Sequence, residues 1–438
     1  MIGSLIIFAI TYLFIASEKM DKTAAALLGA AAVIVFHVVP YDYALHSVDL
    51  NVIFLLVGMM IVMFIMSQTG VFEWIAVTIA QKSKGRASLI LLLFMAVTAF
   101  LSAFLDNVTT VILIAPITIL IAEILEVAAV PFLILEALAS NIGGTATLIG
   151  DPPNVLIGSQ SELTFNQFIE HLTPIVLVMS VIIFPVVAFL FRNSMTVSDA
   201  AKARLTRAKP ELAILDHKML KRALIVFAGI LIAFFISHQL NVEPGIIALA
   251  GALIMTLVCR ADLRETLEKV EWISVFFFIG LFILIGALTY NGVFQWLGKH
   301  IVELTQGNFF LTVMTILWFS AIMSAIVDNI PLVIAMIPLI KSIIPDFGTH
   351  LGVVDSPAVL QTTVAEPLYW ALALGACLGG NGTLVGASAN VVVANIARRN
   401  NYDLTFMRFT KYGLPVMLAT LVFSMIYIYV RYFLLMPR

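Results

Sequence analysis

Long apolar runs separated by short polar turns extend along the whole chain. Runs of membrane-crossing length begin near residues 2, 23, 50, 131 and 173, and again near residues 222, 244, 273, 366 and 413. A helix needs about 20 mainly apolar residues to span the hydrocarbon core of a bilayer. No polar stretch is long enough to fold as a separate soluble domain. The pattern predicts an all-α polytopic membrane protein.

The apolar pattern repeats at a fixed spacing. Adding 222 to a residue number in the first half gives its counterpart in the second half, so that Gly58 corresponds to Gly280. After an insertion of 14 residues, NIGGTATLIGDPPN at 141–154 aligns with CLGGNGTLVGASAN at 377–390. Self-similarity over this length predicts two structural repeats joined by a linker. We place the first repeat at 1–192, the linker at 193–221 and the second repeat at 222–438.

Two kinds of interruption occur inside the apolar runs of each repeat. An Asp-Asn pair separates two apolar stretches of about 17 residues, at Asp106–Asn107 and again at Asp328–Asn329. Further along, glycine and proline accumulate, and both residues weaken or break a helix. We therefore predict re-entrant helical hairpins at about 88–125 and 309–344, and broken helices at about 131–157 and 366–396.

Lysine and arginine positions indicate how the two repeats are oriented. Cytoplasmic loops of membrane proteins are enriched in these residues. If both Asp-Asn segments are re-entrant hairpins, 20 of the 24 lysines and arginines fall on one face of the membrane. If these segments instead crossed the membrane, the basic linker would lie on the face opposite the basic cluster at 82–86. Each repeat then has five transmembrane helices, and we expect two inverted-topology repeats. The linker is expected to form an amphipathic helix on the cytoplasmic surface, with Ser198 as its N-cap.

The composition agrees with a membrane location. Of 438 residues, 61% are hydrophobic and 11% are charged, whereas soluble domains have about 25% charged residues. We expect an integral, multi-pass protein of a bacterial plasma (inner) membrane. The net charge of -2 and the lack of a basic domain give no indication of nucleic-acid binding. Cys259 and Cys377 lie too far apart for a CxxC or zinc pattern, so we expect neither a cofactor nor a resident metal.

Polar residues concentrate at the four predicted interruptions. Inverted repeats with broken helices are typical of secondary transporters, whose binding site lies at the repeat interface near the membrane midplane. Non-helical backbone at that depth is tolerated where it is buried in protein or lines a wet cavity. The candidate substrate- or ion-binding residues are Asp106, Asn107, Thr109, Thr110, Asn141, Thr145, Thr147, Asp151, Asn154, Asp328, Asn329, Asn381, Thr383, Ser388 and Asn390.

The chemistry of this set favours particular solutes. It contains carboxylates, amides and hydroxyls but no lysine, arginine or histidine, and so favours a cation, a proton or a small neutral hydroxylated solute over an organic anion. Ionisable residues inside a membrane segment are candidate functional residues, and we assign proton coupling to Asp106 and Asp328. Two other interpretations remain open. The Asp-Asn pairs could cap helices, and Asp151 could form a turn.

Several glutamates lie closer to the ends of the predicted segments. We expect Glu123, Glu126, Glu136 and Glu366 to lie at the membrane interface rather than in the site.

Two motifs carry a resemblance to a known family. LDNVTTVILIAPIT at 105–118, followed by NIGGTATLIGDPPNVLIGS at 141–159, resembles the ion transporter superfamily. Within it, the chain is similar to the group of the ArsB arsenite permeases, the melanosomal P protein and the NhaD-type sodium-proton antiporters. The resemblance covers essentially the whole chain and implies two inverted repeats, each with a hairpin and a broken helix. The superfamily's dicarboxylate carriers have Ser-Asn-Thr signatures at the hairpin tips, where this chain has LDNVTT and VDNIPL.

These observations predict a secondary active transporter that exports a small inorganic solute, with arsenite or antimonite in exchange for protons as the first expectation. A sodium-proton antiporter is the alternative, followed by a sodium-coupled dicarboxylate carrier. A passive channel and an intramembrane enzyme are further classes, and we expect no enzymatic activity. The expected partners are the solute, protons or Na⁺, and the lipid bilayer. The sequence leaves open whether an energising ATPase subunit or a second copy of the chain takes part.

Overall fold

The structure is a computed structural model that describes residues 1–17, 20–84, 86–191, 197–198, 200–201 and 209–435. Within these residues the chain is helical and contains no strand. The helices of the first half are α1 (Ile2–Ser17), α2 (Lys22–Val35), α3 (Tyr41–His46), α4 (Leu50–Ser67), α5 (Val71–Lys82), α6 (Ala87–Phe104), α7 (Asn107–Leu125), α8 (Ala129–Gly144), α9 (Pro152–Ser161) and α10 (Phe165–Phe191).

The second half contains helices in the same order. They are α11 (His217–Phe235), α12 (Pro244–Cys259), α13 (Leu263–Glu268), α14 (Trp272–Tyr290), α15 (Val293–Leu304), α16 (Phe309–Ile326), α17 (Asn329–His350), α18 (Glu366–Gly379), α19 (Ser388–Arg399) and α20 (Phe406–Ile428). Each of α2 to α7 begins 222 residues before its counterpart among α12 to α17, from Lys22 and Pro244 to Asn107 and Asn329. The spacing seen in the sequence is thus reproduced in the helix boundaries.

Eight helices in the described part of the chain are long and apolar enough to cross a membrane. They are α4, α6, α7, α10, α14, α16, α17 and the α20 helix extended to Leu434. Shorter apolar helices lie at Ile2–Ile15, Lys22–Val35, Ala129–Gly144 and Pro244–Cys259. The predicted all-α polytopic membrane protein is confirmed, while inversion of the repeats and re-entrance of the hairpins stay predictions.

The helices α6 and α7 form an antiparallel hairpin with a two-residue tip at Leu105 and Asp106. Gly143 of α8 lies against the backbone of Ala99 in α6, and the Thr147 hydroxyl, four residues on, donates to the carbonyl of Ala103. The helices α6 and α8 therefore run in the same direction. By contrast, α7 runs opposite to α8, since Asn107 at its start contacts Asn141 late in α8, whereas Thr118 further along α7 contacts Glu136 in the middle of α8.

The same arrangement recurs in the second half. Gly379 of α18 lies against Ala321 of α16, and the Thr383 hydroxyl donates to the carbonyl of Ala325. The tip between α16 and α17 consists of Val327 and Asp328.

The two halves are interlocked by reciprocal helix pairs. Helix α4 packs on α12, where Gly58 lies against the backbone of Ala248, and α2 packs on α14, where Gly280 lies against Ala26. Gly58 corresponds to Gly280 and Ala26 to Ala248 at the spacing of 222. Such reciprocity is what a two-fold relation between the halves produces.

Both broken helices are interrupted deep inside the molecule. Helix α8 ends at Gly144 and α9 begins at Pro152, and the seven residues at 145–151 are all buried. In the second half α18 ends at Gly379 and α19 begins at Ser388, with a short 3₁₀ turn at Gly380–Gly382.

Some boundaries differ from the sequence pattern. Helix α10 begins at Phe165 rather than near 173, and α20 begins at Phe406 rather than near 413. Pro174 and Pro415 lie inside these helices. Such prolines are tolerated in membrane helices, where neighbouring groups satisfy the freed carbonyls. Much of the predicted linker helix lies outside the described residues, although the Ser198 hydroxyl accepts a hydrogen bond from the Ala201 N–H at 3.1 Å, as an N-cap does.

Candidate functional site

Each hairpin tip contains an aspartate, and this aspartate caps the N-terminus of the second helix of the hairpin. Asp106 Oδ2 accepts hydrogen bonds from the N–H and the hydroxyl of Thr109, both at 2.9 Å. Asp328 Oδ1 accepts from the N–H of Ile330 at 3.2 Å. The first N–H groups of a helix have no partner within the helix, and such caps satisfy them. Both aspartates therefore cap helices, and both also line the cavity described below.

A cluster of buried amides joins the two halves behind the tips. Asn107 Nδ2 donates to Asn141 Oδ1 and to Asp151 Oδ1, both at 3.1 Å. Asn141 Nδ2 donates in turn to Asn381 Oδ1 at 2.9 Å and to Asn390 Oδ1 at 3.0 Å. All five side chains are buried. Because a buried polar network is stable only when its members are hydrogen-bonded, the cluster fixes the two broken helices against each other.

Two further asparagine contacts shape the breaks themselves. Asn154 Nδ2 donates to the Thr147 carbonyl at 2.8 Å, and Asn390 Nδ2 donates to the corresponding Thr383 carbonyl at 3.0 Å. Buried carbonyls without a helical partner require such donors. The two helix breaks are thus ordered, hydrogen-bonded segments rather than frayed helix ends.

Most of the predicted threonines bind backbone rather than face the cavity. Their hydroxyls donate to main-chain carbonyls: Thr110 to Asp106, Thr145 to Asn141, Thr147 to Ala103 and Thr383 to Ala325. The bonds of Thr147 and Thr383 fasten each break to the hairpin beside it, whereas those of Thr110 and Thr145 lie within a single helical turn. Their role in the candidate site is therefore to position its other members.

Three buried polar atoms, two in the cluster and one in the second Asp-Asn pair, have no hydrogen-bond partner among the described residues. They are Asn107 Oδ1, Asp151 Oδ2 and Asn329 Nδ2. Leaving a buried polar atom unpaired costs about 1–3 kcal/mol. Such atoms in a native protein call for an explanation, and a bound ion, proton or water at the hairpin tips would supply one.

A cavity of about 540 Å³ opens at the hairpin tips and contains both tip aspartates. Its charged lining residues in the described part of the chain are Asp21, Lys22, Asp106, Glu271 and Asp328. Four acids and one base make the cavity electronegative. The predicted Ser388 also lines it, whereas the amide cluster lies behind its wall.

Lys22, like Asp21 and Glu271, lines the cavity but was not among the residues predicted from the sequence. Its Nζ lies 3.2 Å from Asp328 Oδ2 and 3.3 Å from the Ser388 hydroxyl. It also lies over the ring of Phe277, 5.1 Å from the centroid. The repeat gave no signal for this lysine because its counterpart is Pro244. The available signal was its position, as the first residue of an apolar helix that follows a short polar turn.

Glu136 was expected at the membrane interface, and this is wrong. The residue is 1% exposed, in the middle of α8. One carboxylate oxygen accepts a hydrogen bond from the Thr118 hydroxyl at 2.6 Å, while Oε2 has no partner among the described residues. Glu366 is also buried, at 3% exposure.

A second cavity, of about 370 Å³, is lined by counterparts of residues that line the first. The corresponding pairs, with the residue of the second cavity first, are Asn51 and Ile273, Val155 and Val391, Ser237 and Ile15, Val242 and Met20, Glu243 and Asp21, and Pro244 and Lys22. Neither tip aspartate lines the second cavity. One of two related cavities therefore reaches the tips and the other does not.

Comparison with known proteins identifies the family of the chain. The CitMHS family, described as citrate transporter, matches residues 12–375. The chain belongs to this family. It is 41% identical to an uncharacterized transporter of Mycobacterium tuberculosis over 98% of both chains. It is 40% identical to the 46 kDa membrane protein of Mycobacterium leprae over 97% of both chains.

A more distant relative lies in the group that the motifs indicated. The chain is 31% identical to the P protein of Mus musculus over 97% of its own length and 60% of that relative. The suspected membership of the ion transporter superfamily is thus confirmed. The chain is a multi-pass membrane transporter of the CitMHS and P protein family, which agrees with the expectation of a transporter rather than an enzyme.

Proposed function

We propose that the protein is a secondary active transporter that exports a small inorganic solute, with arsenite or antimonite in exchange for protons as the first candidate. The observation that carries the proposal is the single cavity onto which both repeats present a tip aspartate, Asp106 and Asp328. Both aspartates are partly buried, and an ionisable residue in a membrane segment is by default a candidate functional residue. The bacterial plasma membrane is the proposed location, supported by the mycobacterial relatives.

Alternating access is the proposed mode of transport. Two inverted repeats would place matching cavities on opposite faces, and the pair of cavities with corresponding lining residues supports this topology. In the proposed cycle, the hairpins and broken helices move against the interlocked pairs α2–α14 and α4–α12. The cavity at the tips then closes while its counterpart opens.

The chemistry of the cavity supports the choice of solute. Uncharged arsenite carries three hydroxyls, which suit carboxylate and amide partners. With four acids and one lysine, the lining disfavours a multiply charged carboxylate. Sodium is the second candidate because excess carboxylate also suits a monovalent cation. The direct experiment compares arsenite, antimonite, sodium, succinate and citrate in everted vesicles, with and without a pH gradient. Transport of none of these, or of the carboxylates alone, would refute the proposal.

Asp106→Asn is the sharpest variant for this proposal. Asparagine is as good an N-cap as aspartate, so the variant keeps the helix start but loses the ionisable group. We expect solute–proton exchange in proteoliposomes to fall at least 100-fold while folded protein is recovered.

The matched control is Asp262→Asn. Asp262 also caps a helix, accepting from the Glu265 N–H at 2.9 Å, but it is exposed and outside the cavity. It should retain exchange at the parental rate. Full exchange by Asp106→Asn would remove Asp106 from the coupling mechanism.

A further inference from the structure

The two half-sites of the cavity match in sequence but differ in charge. Both begin with a capping aspartate followed by asparagine. Yet Asp328 is paired with Lys22, whereas no lysine, arginine or histidine pairs with Asp106 among the described residues. Repeat symmetry would have placed a second lysine at 244, where the chain has proline. The asymmetry therefore originates in the sequence, which has lysine at one of two corresponding positions and proline at the other.

Both carboxylate oxygens of Asp328 have partners. Oδ1 accepts from the Ile330 N–H, and Oδ2 receives Lys22 Nζ at 3.2 Å and the Ser388 hydroxyl at 2.9 Å. The Asp328 side chain is 14% exposed and that of Lys22 is 40% exposed, so the ion pair is desolvated mainly on the carboxylate side. Coulomb attraction at about 3 Å is stronger there than at a protein surface. A cation entering the cavity would have to displace Lys22 to reach this carboxylate.

Lys22 is well placed to remain there. It is the first residue of α2, whose N-terminus is fixed by Asp21, which accepts from the N–H groups of Thr23 and Ala24 at 3.0 Å. The side chain crosses to the other repeat over the face of Phe277, a favourable position for an ammonium group.

We propose that Lys22 is a positioning and specificity-determining residue that acts as an internal counter-ion of Asp328. With Asp328 paired in this way, Asp106 is the carboxylate that takes the transported proton or monovalent cation. The inference rests on the proposed function in taking the cavity as the binding site. It predicts that one of the two tip aspartates accepts a cation, although the repeat supplies both. Removing the charge of Lys22 converts Asp328 into a second cation site.

The test measures cation binding rather than transport. Wild type, Lys22→Gln, Lys22→Arg and Lys22→Gln/Asp328→Asn are purified in detergent. Their melting temperatures are then recorded in rising NaCl, with choline chloride holding the ionic strength constant. A bound ligand stabilises the folded state by mass action. We expect the Na⁺-dependent rise to become about twofold larger in Lys22→Gln, because a second independent site adds a second contribution of similar size.

The additional variants separate charge from structure. Lys22→Arg keeps the positive charge and should retain the wild-type response. The double variant should lose the extra response, since asparagine keeps the cap but not the carboxylate. Lys341→Gln is the matched control, because Lys341 lines another cavity and donates to Gln160 rather than to an acid.

The possible outcomes decide the proposal separately from the transport function. A response of Lys22→Gln no larger than that of wild type overturns it, as does an extra response that persists without Asp328. Failure of the wild type to transport any solute in proteoliposomes refutes the proposed function and leaves this binding result intact.

Discussion

At the scale of single residues, the acids inside the molecule differ in the hydrogen-bond partners and the surroundings of their carboxylates. Asp106 and Asp328 cap helices and face a cavity, whereas Glu136 is enclosed in α8, with the Thr118 hydroxyl as its hydrogen-bond donor among the described residues. A buried carboxylate depends strongly on its few donors, because its desolvation is costly. Thr118 therefore has a stabilising role that its sequence context does not reveal.

Replacing Thr118 with valine tests this dependence. Valine has nearly the same shape but no hydroxyl, so Glu136 loses its donor and we expect a loss of about 1–3 kcal/mol in unfolding free energy. Thermal unfolding in detergent, followed by tryptophan fluorescence, provides the measurement. Thr362→Val is the control, since Thr362 is exposed and its hydroxyl bonds only to the carbonyls of its own helical turn. Equal melting temperatures for Thr118→Val and the wild type would contradict the assigned role.

The site residues illustrate what a sequence can predict at this scale. Asp106 and Asp328 were selected as candidates because the same acid recurs 222 residues apart in apolar surroundings, where an ionisable residue is a functional-site hypothesis by default, and the structure places both on one cavity. Lys22 pairs with a residue 306 positions away, and its counterpart is Pro244. Neither periodicity nor repetition could indicate that ion pair, because it depends on how the two halves dock.

At the scale of helices, close backbone contact fixes the interlocked pairs. Membrane helices associate through packing of small residues rather than through the hydrophobic effect. A Cβ added to Gly58 would lie 2.5 Å from the Ala248 carbonyl carbon, which is too close without movement of the backbone. The contact between α4 and α12 therefore requires glycine.

Gly58→Ala should accordingly destabilise the protein. Overpacking of this kind typically costs about 1–3 kcal/mol, and backbone rather than a flexible side chain must move. Gly229→Ala is the matched control, because no atom lies within 4 Å of a Cβ built there. Alanine also favours helix over glycine, so this control should be neutral or stabilising by up to about 1 kcal/mol. Size-exclusion profiles and melting temperatures of both variants decide the point, and equal behaviour would disprove the packing argument.

Helix positions were largely predictable, for a physical reason. Polar turns and capping residues separate the apolar runs, and the repeat gives each boundary a second indication. The starts of α10 and α20 were not predictable in this way. In both helices polar residues precede the proline at which the apolar run begins, so the pattern pointed to a start near Pro174 and Pro415. In the structure, Phe165 and Phe168 at the start of α10 are buried and Phe168 packs against Trp370, so apolar contacts hold this turn against the protein.

At the scale of the whole molecule, the two cavities differ in openness although their walls correspond. Val391 is 37% exposed in the cavity that reaches the aspartates, and its counterpart Val155 is 3% exposed. On the closed side, Asp49 Oδ2 accepts hydrogen bonds from Ser159, at 2.8 Å, and from Gln160. These contacts connect the start of α4 to α9. The counterpart of Asp49, Glu271, lines the open cavity and makes no hydrogen bond to α19 among the described residues.

We therefore expect the contacts of Asp49 to hold the second cavity closed, and Asp49→Asn to release it. Asparagine can keep the cap on the Val52 N–H but replaces the accepting oxygen with a donor. Loss of charge-assisted hydrogen bonds worth about 1.5–3 kcal/mol shifts a two-state equilibrium by about tenfold or more.

The measurement uses single-cysteine reporters, Val155→Cys and Val391→Cys, in a background in which Cys259 and Cys377 are serine. Without Asp49→Asn, maleimide should label position 391 rapidly and position 155 slowly. With Asp49→Asn, labelling should accelerate at 155 and slow at 391, because opening one cavity closes the other. Asp262→Asn should change neither rate. Acceleration at both positions would indicate general loosening rather than exchange between two states, and unchanged rates would assign the contacts of Asp49 no part in gating.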